Sequence, residues 1–239
     1  MNNTSYLKCF LPARCILFLI IFVAGAFISD RKISGISNWW SIIASAVNIL
    51  TILFLVISAK KTGSSYRELI GYEKDKTPIK KMILLIVGFI FIGMAGLYAA
   101  GFVCYGVLPY SSPMMVEPIP LIFAILNIAV LPVTTALAED GLYLGGGVNQ
   151  IKNKYAAIIV PAFFYALQHC FIPTMFDARY MIYRFISFLP LTVIFCIHYH
   201  KKRDPLQIMI AHAILDLATA MTILATSADH SLYEKMINM

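Results

Sequence analysis

Seven long apolar stretches alternate with shorter polar segments along the chain. A helix needs about 20 mostly apolar residues to cross a bilayer, and every stretch except the first approaches that length. The pattern therefore predicts an all-α fold, a polytopic membrane helix bundle of seven or eight transmembrane helices. The stretches cover about residues 15–29, 39–59, 82–107, 119–148, 155–173, 180–199 and 206–226.

The composition is also that of a membrane protein. Of the 239 residues, 60% are hydrophobic and 13% are charged, whereas soluble domains have about 45–50% and about 25%. The formal charge of +7 has the sign that nucleic-acid-binding proteins show. Because the basic residues lie between the apolar stretches, we expect the lipid bilayer to be the partner and no nucleic acid to bind.

The basic residues predict the orientation of the bundle. With seven crossings, the four most basic segments fall on one side of the membrane. The positive-inside rule then predicts a cytoplasmic N-terminus and an external C-terminus. These segments are the N-terminus, with Lys8 and Arg14, and the loops 60–81, 149–154 and 200–205.

Three local features refine this topology. The first stretch is short and contains Ala24-Gly25-Ala26, so it also fits a signal peptide, although a retained helix keeps the charge pattern consistent. The 60–81 loop is expected to hold a short interfacial helix from Tyr66 to Tyr72. Gly145-Gly146-Gly147 is expected to loosen or end the fourth helix.

Among the ionisable residues inside the apolar stretches, where charges are energetically costly, three acids and two histidines are candidates for a functional site. An ionised group at the centre of a membrane helix costs about 2.5–3.5 kcal/mol on insertion scales, so such a residue predicts a functional site. The five candidates are His169, His212, Glu139, Asp140 and Asp216.

The spacing of these residues predicts that they meet. Glu139 and His169 are centred on Lys154, so in a helical hairpin each lies about 22 Å from the turn. His212 follows Arg203 by nine positions, and Asp216 lies one turn further on the same face. All are therefore expected at a similar depth in the bundle.

A carboxylate with a histidine can take a proton from water, and a His-x-x-x-Asp face can polarise a carbonyl group. This combination predicts a hydrolase without a Ser or Cys nucleophile. Two alternatives use the same residue types: a divalent metal site and the proton relay of a proton-coupled transporter. A transporter usually contains two related halves with broken helices, and no such repeat is present.

Three motifs resemble those of the CPBP intramembrane proteases, which include type II CAAX prenyl endopeptidases and bacterial abortive infection homologues. The segment from Glu139 to Gly145 looks like their Glu-Glu-x-x-x-Arg-Gly motif. Tyr165 to His169 is similar to Phe-x-x-x-His, and His212 to Asp216 resembles His-x-x-x-Asn/Asp. The resemblance covers residues 119–226, which would form the catalytic core between N-terminal helices (1–118) and a C-terminal tail (227–239).

The resemblance implies an intramembrane endopeptidase acting on a peptide or membrane-protein substrate, at the cytoplasmic side or within the bilayer of a bacterial cell membrane. Glu139 would activate water with help from His169, and His212 and Asp216 would line the oxyanion site. Asp140 would support them. No metal and no cofactor is implied. Asp216 would serve as a donor only in its neutral form, or would orient His212.

The chain departs from the first motif at two positions. Leu144 stands in place of Arg, which removes a cation that could balance Asp140, and Asp140 itself stands in place of Glu. In an α-helix, the Asp140 side chain would point about 100° away from Glu139 and could brace the bundle instead. These departures favour an alternative function, a catalytically inactive CPBP-like scaffold or a bacteriocin immunity protein.

Overall fold

The computed structural model describes residues 5–110 and 112–237, which fold into helices joined by short loops. Short 3₁₀ segments precede α1 (Ser5–Phe10), α2 (Ile33–Gly35 and Ser37–Trp39) and α5 (Pro113–Met115). The segment Ala136–Val148 continues α5 with π-helical geometry and is called the π segment below. The α-helices are α1 (Ala13–Ile28), α2 (Trp40–Lys61), α3 (Tyr66–Leu69), α4 (Ile79–Tyr105), α5 (Leu121–Thr135), α6 (Ala156–Gln168), α7 (Ala178–Lys202), α8 (Leu206–Ala228) and α9 (His230–Ile237).

Within the described residues, six helical stretches are long and apolar enough to cross a membrane, and the all-helical membrane class is confirmed. α6 falls short, because its 13 residues span about 20 Å against a hydrocarbon core of about 30 Å. Pro173 disfavours helical geometry at the residue before it, which limits the fifth apolar stretch. The six are Tyr6–Ile28, Ser37–Lys61, Ile79–Tyr105, Leu121–Val148, Ala178–Lys202 and Leu206–Ala228.

Glycines allow the π segment to approach its neighbours closely. A Cβ at Gly141 would lie 2.6 Å from the Tyr66 hydroxyl, and one at Gly145 would lie 3.0 Å from the Leu69 carbonyl oxygen. The helix runs through Gly147 to Val148 with π-helical geometry, so of the two expected effects of the glycines, loosening or ending the helix, the glycines do not end it. The absence of a side chain at Gly141 and Gly145 allows α3 to pack directly against the backbone of the π segment.

The short helix α3 lies against the π segment. Its one turn begins with a capping box between Ser65 and Glu68, and the Ser65 N–H and hydroxyl hold the pKa of Glu68 below its usual value. The Tyr66 hydroxyl donates to the Leu137 carbonyl oxygen at 2.5 Å, and Leu69 is buried. The predicted short helix is therefore present, but it ends at Leu69 and is anchored to the core of the bundle.

Three of the basic loops meet at one end of the bundle. The Asn149 side-chain amide donates to the Leu69 carbonyl oxygen at 3.0 Å and to the Tyr199 hydroxyl at 2.6 Å. The Lys76 ammonium group donates to the Arg203 carbonyl oxygen at 3.1 Å. These bonds join the loop after α2, the loop after the π segment and the loop after α7. We call this the basic end.

Close packing of α4 on α7 gives a prediction about stability. A Cβ at Gly96 would lie 2.6 Å from the Ser187 carbonyl oxygen, whereas one at Gly88 would have nothing within 4 Å. We expect Gly96→Ala to lower the melting temperature in thermal unfolding of the detergent-purified protein, because overpacking costs about 1–3 kcal/mol. Gly88→Ala, in the same helix, should leave it unchanged or slightly raised. Equal melting temperatures for the two variants would contradict this packing.

Candidate active site

Three of the predicted residues converge from three helices. Glu139 projects from the π segment, His169 follows the last residue of α6, and His212 lies in α8, and all three side chains are buried. Glu139 Oε2 lies 3.9 Å from His169 Nε2 and 4.0 Å from His212 Nε2. The residues that the hairpin spacing predicted to share a depth therefore lie within 4 Å of one carboxylate oxygen.

Asp140 belongs to the same cluster. The Tyr165 hydroxyl donates to Asp140 Oδ1 at 2.8 Å and lies 2.9 Å from His212 Nδ1, which is 3.4 Å from Asp140 Oδ2. The divergence of about 100° expected between successive residues of an α-helix does not remove Asp140 from the site. A π-helix has more residues per turn than an α-helix, so successive side chains diverge less, and both acids reach His212 from opposite sides of its ring.

Asp216 lies one turn after His212 and faces the other ring nitrogen. Its Oδ2 is 3.7 Å from His212 Nε2 and is a buried oxygen with no hydrogen-bond partner in the described structure. The side chain is 24% exposed. Three carboxylates thus surround His212, with Asp140 near Nδ1 and the other two near Nε2.

Hydrogen bonding fixes the tautomer of His169. Its Nδ1 lies 2.8 Å from the Tyr165 carbonyl oxygen, and a carbonyl oxygen only accepts, so Nδ1 carries the hydrogen. In the neutral ring Nε2 then has a lone pair, and this nitrogen is the one that faces Glu139. The ring stacks on Phe188 with a centroid separation of 3.5 Å, which fixes its plane.

Arg14 was placed wrongly by the sequence pattern, which assigned it to the cytoplasmic N-terminus. The residue lies inside the first membrane-spanning stretch and is 3% exposed. Its Nη2 donates to Glu139 Oε1 at 3.0 Å. A cation within the membrane needs polar partners. The sequence offered such partners in the second apolar stretch, at Asn48 and Thr51, and these were the signal that Arg14 could be buried.

Those two polar residues hold the rest of the guanidinium group. Arg14 Nη1 donates to Thr51 Oγ1 at 2.7 Å, and Nη2 donates to Asn48 Oδ1 at 2.8 Å. Asn48 donates in turn to Thr135 Oγ1 at 2.9 Å. Helices from the first hundred residues therefore contribute directly to the site.

Gln168 is a second residue that the motif comparison missed. Its Nε2 donates to Glu139 Oε2 at 2.7 Å. Its Oε1 accepts from Arg14 Nε at 2.8 Å and from the Tyr143 hydroxyl at 3.1 Å. Gln168 is fully buried, and its position beside His169 was the only signal in the sequence.

A cavity of about 410 Å³ reaches Glu139, His169 and Asp216. Apolar side chains form most of its wall, among them Leu97, Met115, Leu131 and Leu191. Arg184 contributes a cationic side chain to the cavity wall and is 4% exposed.

Arg184 is fixed by the turn after α6 and does not point outward to the membrane surface. It donates to the His169 carbonyl oxygen at 3.3 Å and to the Ile172 carbonyl oxygen at 3.1 Å. Among the residues that the structure describes, no group of three or more His, Cys, Asp or Glu side chains could hold a metal ion.

Comparison with protein families supports the motif resemblance. Residues 121–218 match the family model described as "Type II CAAX prenyl endopeptidase Rce1-like". The match covers the π segment and both histidines, and it agrees with the CPBP resemblance of the three motifs. This family is one of membrane endopeptidases, and the protein is an integral membrane protein. No curated protein and no solved structure matches the chain.

The contacts of Tyr165 give a second prediction. Tyr165→Phe removes the only hydroxyl that the structure places on Asp140 Oδ1, an oxygen of a residue that is 1% exposed. A buried acceptor left without its donor costs about 1–3 kcal/mol, so we expect a lower melting temperature. Tyr155→Phe is the matched control, because Tyr155 is 65% exposed. If the two variants unfold at the same temperature, the hydroxyl does not stabilise Asp140.

Proposed function

We propose that the protein is an intramembrane endopeptidase that hydrolyses a peptide bond with a water molecule activated by Glu139 and His169. One observation carries the proposal. Glu139 Oε2 and His169 Nε2 are 3.9 Å apart on the wall of one cavity, and each is a hydrogen-bond acceptor. A water molecule on the cavity side can donate one hydrogen to each, which turns its oxygen lone pair toward a substrate carbonyl. The Rce1-like match supports the same reaction class.

The reaction is then a general-base hydrolysis. The water oxygen bonds to the scissile carbonyl carbon as Glu139 accepts the proton. The C–N bond of the tetrahedral intermediate breaks, and the proton passes to the leaving amine. One lone pair remains usable at Glu139 Oε2, because Gln168 occupies only one of the two lone-pair directions at that oxygen.

We assign His212 and Asp216 to the oxyanion site. A developing oxyanion needs a hydrogen-bond donor that is already in place. The Tyr165 hydroxyl donates to Asp140, so His212 Nδ1 carries its own hydrogen toward these two partners. His212 Nε2 faces Glu139 and Asp216 at 4.0 Å and 3.7 Å, and it can donate to the oxyanion when His212 is the imidazolium ion, the form that pairs with these carboxylates. The unpartnered Asp216 Oδ2 facing Nε2 favours an orienting role for Asp216 over a donor role.

Leu144 favours a second candidate function, a catalytically inactive scaffold or immunity protein that retains the fold. The side chain is fully buried in the apolar core, so no cation stands at that motif position. Arg14 weakens this alternative because it places a cation on Glu139 from another helix. A proton-coupled transporter would use the same ionisable cluster as a relay.

We propose a bundle of seven membrane helices, with α6 as a short membrane-embedded element, a cytoplasmic N-terminus and a bacterial cell membrane as its location. The basic end would then face the cytoplasm. The cavity extends away from that end, since Tyr110, Ser112 and Met236 belong to its wall. A peptide or membrane-protein segment would therefore reach Glu139 from the opposite end of the bundle.

Glu139 gives the direct test of the reaction. Glu139→Gln keeps the shape of the side chain but removes the base, so we expect peptide cleavage to fall by about 10²–10⁴-fold, the contribution typical of a general base. The assay is cleavage of a library of membrane-spanning peptides by purified protein, with products identified by mass spectrometry. Glu73→Gln is the control, because the Glu73 side chain is 67% exposed. Undiminished cleavage by a folded Glu139→Gln protein would refute the proposal.

Sidedness is tested by cysteine labelling in intact cells. In a variant whose five native cysteines are replaced by Ala, Lys74→Cys and Lys201→Cys report on the basic end, and Ser34→Cys reports on the opposite loop; all three positions are exposed. A membrane-impermeant maleimide should label only Ser34→Cys, because the positive-inside rule keeps the other two in the cytoplasm. Labelling of Lys74→Cys or Lys201→Cys from outside would reverse the orientation.

A further inference from the structure

We infer that Arg14 is a positioning residue for Glu139, and that it supplies from α1 the cation that Leu144 no longer supplies from the motif position. The inference rests on the proposed function, because it deepens the role of Glu139 as the base. It is carried by the contacts of the guanidinium group and by the place of that group outside the cavity.

Arg14 controls both oxygens of the Glu139 carboxylate. It donates directly to Oε1 at 3.0 Å. It also donates through Nε to Gln168 Oε1 at 2.8 Å, and a guanidinium group can only donate. This bond fixes which end of the Gln168 amide carries the N–H groups, so Gln168 Nε2 must be the atom that donates to Glu139 Oε2 at 2.7 Å.

The result is a carboxylate that accepts a bond from an obligate donor at each oxygen. This pattern selects the ionised form, which is the form a general base needs. It also turns the free side of Oε2 toward His169 Nε2, 3.9 Å away. Arg14 thus acts on the charge of Glu139 and on its direction.

The guanidinium group is itself held from a second helix. Thr51 and Asn48, both in α2, accept from Nη1 and Nη2 at 2.7 Å and 2.8 Å, and the group lies 5.4 Å from the centre of the Phe18 ring. Because so many contacts hold the guanidinium group, its position changes little when Glu139 reacts. Support of this kind from outside the reacting atoms is what a catalytic side chain needs to stay in place.

Arg14 does not line the cavity, so it has no route to the substrate except through Glu139 and Gln168. This separates it from Arg184, which lines the cavity directly. A residue that acts only through the base should change the rate of the chemical step and leave substrate binding alone. A buried ion pair that only stabilised the fold would not change the rate of the chemical step while leaving substrate binding unchanged.

The test compares Arg14→Gln and Arg14→Lys with Lys8→Gln, a control at an exposed position close by in the chain. We expect Arg14→Gln to lower kcat by up to about 10²-fold, the cost of misplacing a catalytic group by about 1 Å, with KM changed less than about twofold. Arg14→Lys keeps the charge and should restore part of kcat. Rates are normalised to the folded fraction from size-exclusion chromatography and thermal unfolding. A raised KM with unchanged kcat, or no difference between Arg14→Gln and Arg14→Lys in kcat, would overturn the inference.

A spectroscopic arm separates this inference from the proposed function. The infrared spectrum of wild type minus that of Glu139→Gln isolates the Glu139 carboxylate band. We expect this band to shift or to be replaced by a carboxylic acid band in Arg14→Gln, and to remain in Lys8→Gln. If no peptide is cleaved by the wild type, the proposed function fails, and the band still decides the role of Arg14. A Glu139 band that is identical in wild type and Arg14→Gln would refute it.

Discussion

The structure depends on keeping one carboxylate, that of Glu139, inside an apolar helix bundle. A buried charge is tolerated only when it is paired and hydrogen-bonded. The partners of Glu139 come from α1 and the end of α6, and α2 holds the cation in place. The hydrogen bonds that Glu139 requires therefore fix the relative positions of three otherwise apolar helices around the π segment. Apolar packing alone would leave their relative depth much less defined, because lipid tails are as apolar as the helix surfaces.

A second network of polar groups is built around His212 and shares Glu139 with the first. Tyr165 links Asp140 to the histidine, and Asp216 faces the far ring nitrogen. The first network supplies a carboxylate with a fixed direction, and the second holds an imidazole ring about 4 Å away. The two networks meet where His212 lies beside Glu139, so their geometries are coupled. A change at Asp140 should therefore alter the position of Glu139 through His212.

Sequence reasoning predicted the helices and the meeting of the acids and histidines, because hydrophobic length and residue spacing along a helix determine both. It did not predict the π segment, since a period of 3.6 residues is built into such reasoning, and the close contacts of Gly141 and Gly145 are visible only in three dimensions. It misplaced Arg14 because basic residues near an N-terminus count as loop charges in the positive-inside rule. Whether a cation faces water or a buried acid depends on its partners, and those partners are more than thirty residues away in sequence.

The departures from the family motif become consistent when they are taken together. With Leu144 in the apolar core, Asp140 has no cation from its own helix, and the Tyr165 hydroxyl, at a position where the motif has Phe, donates to it instead. A neutral donor suits this place because His212 already lies 3.4 Å from Asp140 Oδ2. The cation is then free to come from α1 and to bind Glu139 rather than its neighbour. The positive charge of Arg14 in this protein therefore lies beside Glu139, the acid proposed as the base, and not beside Asp140.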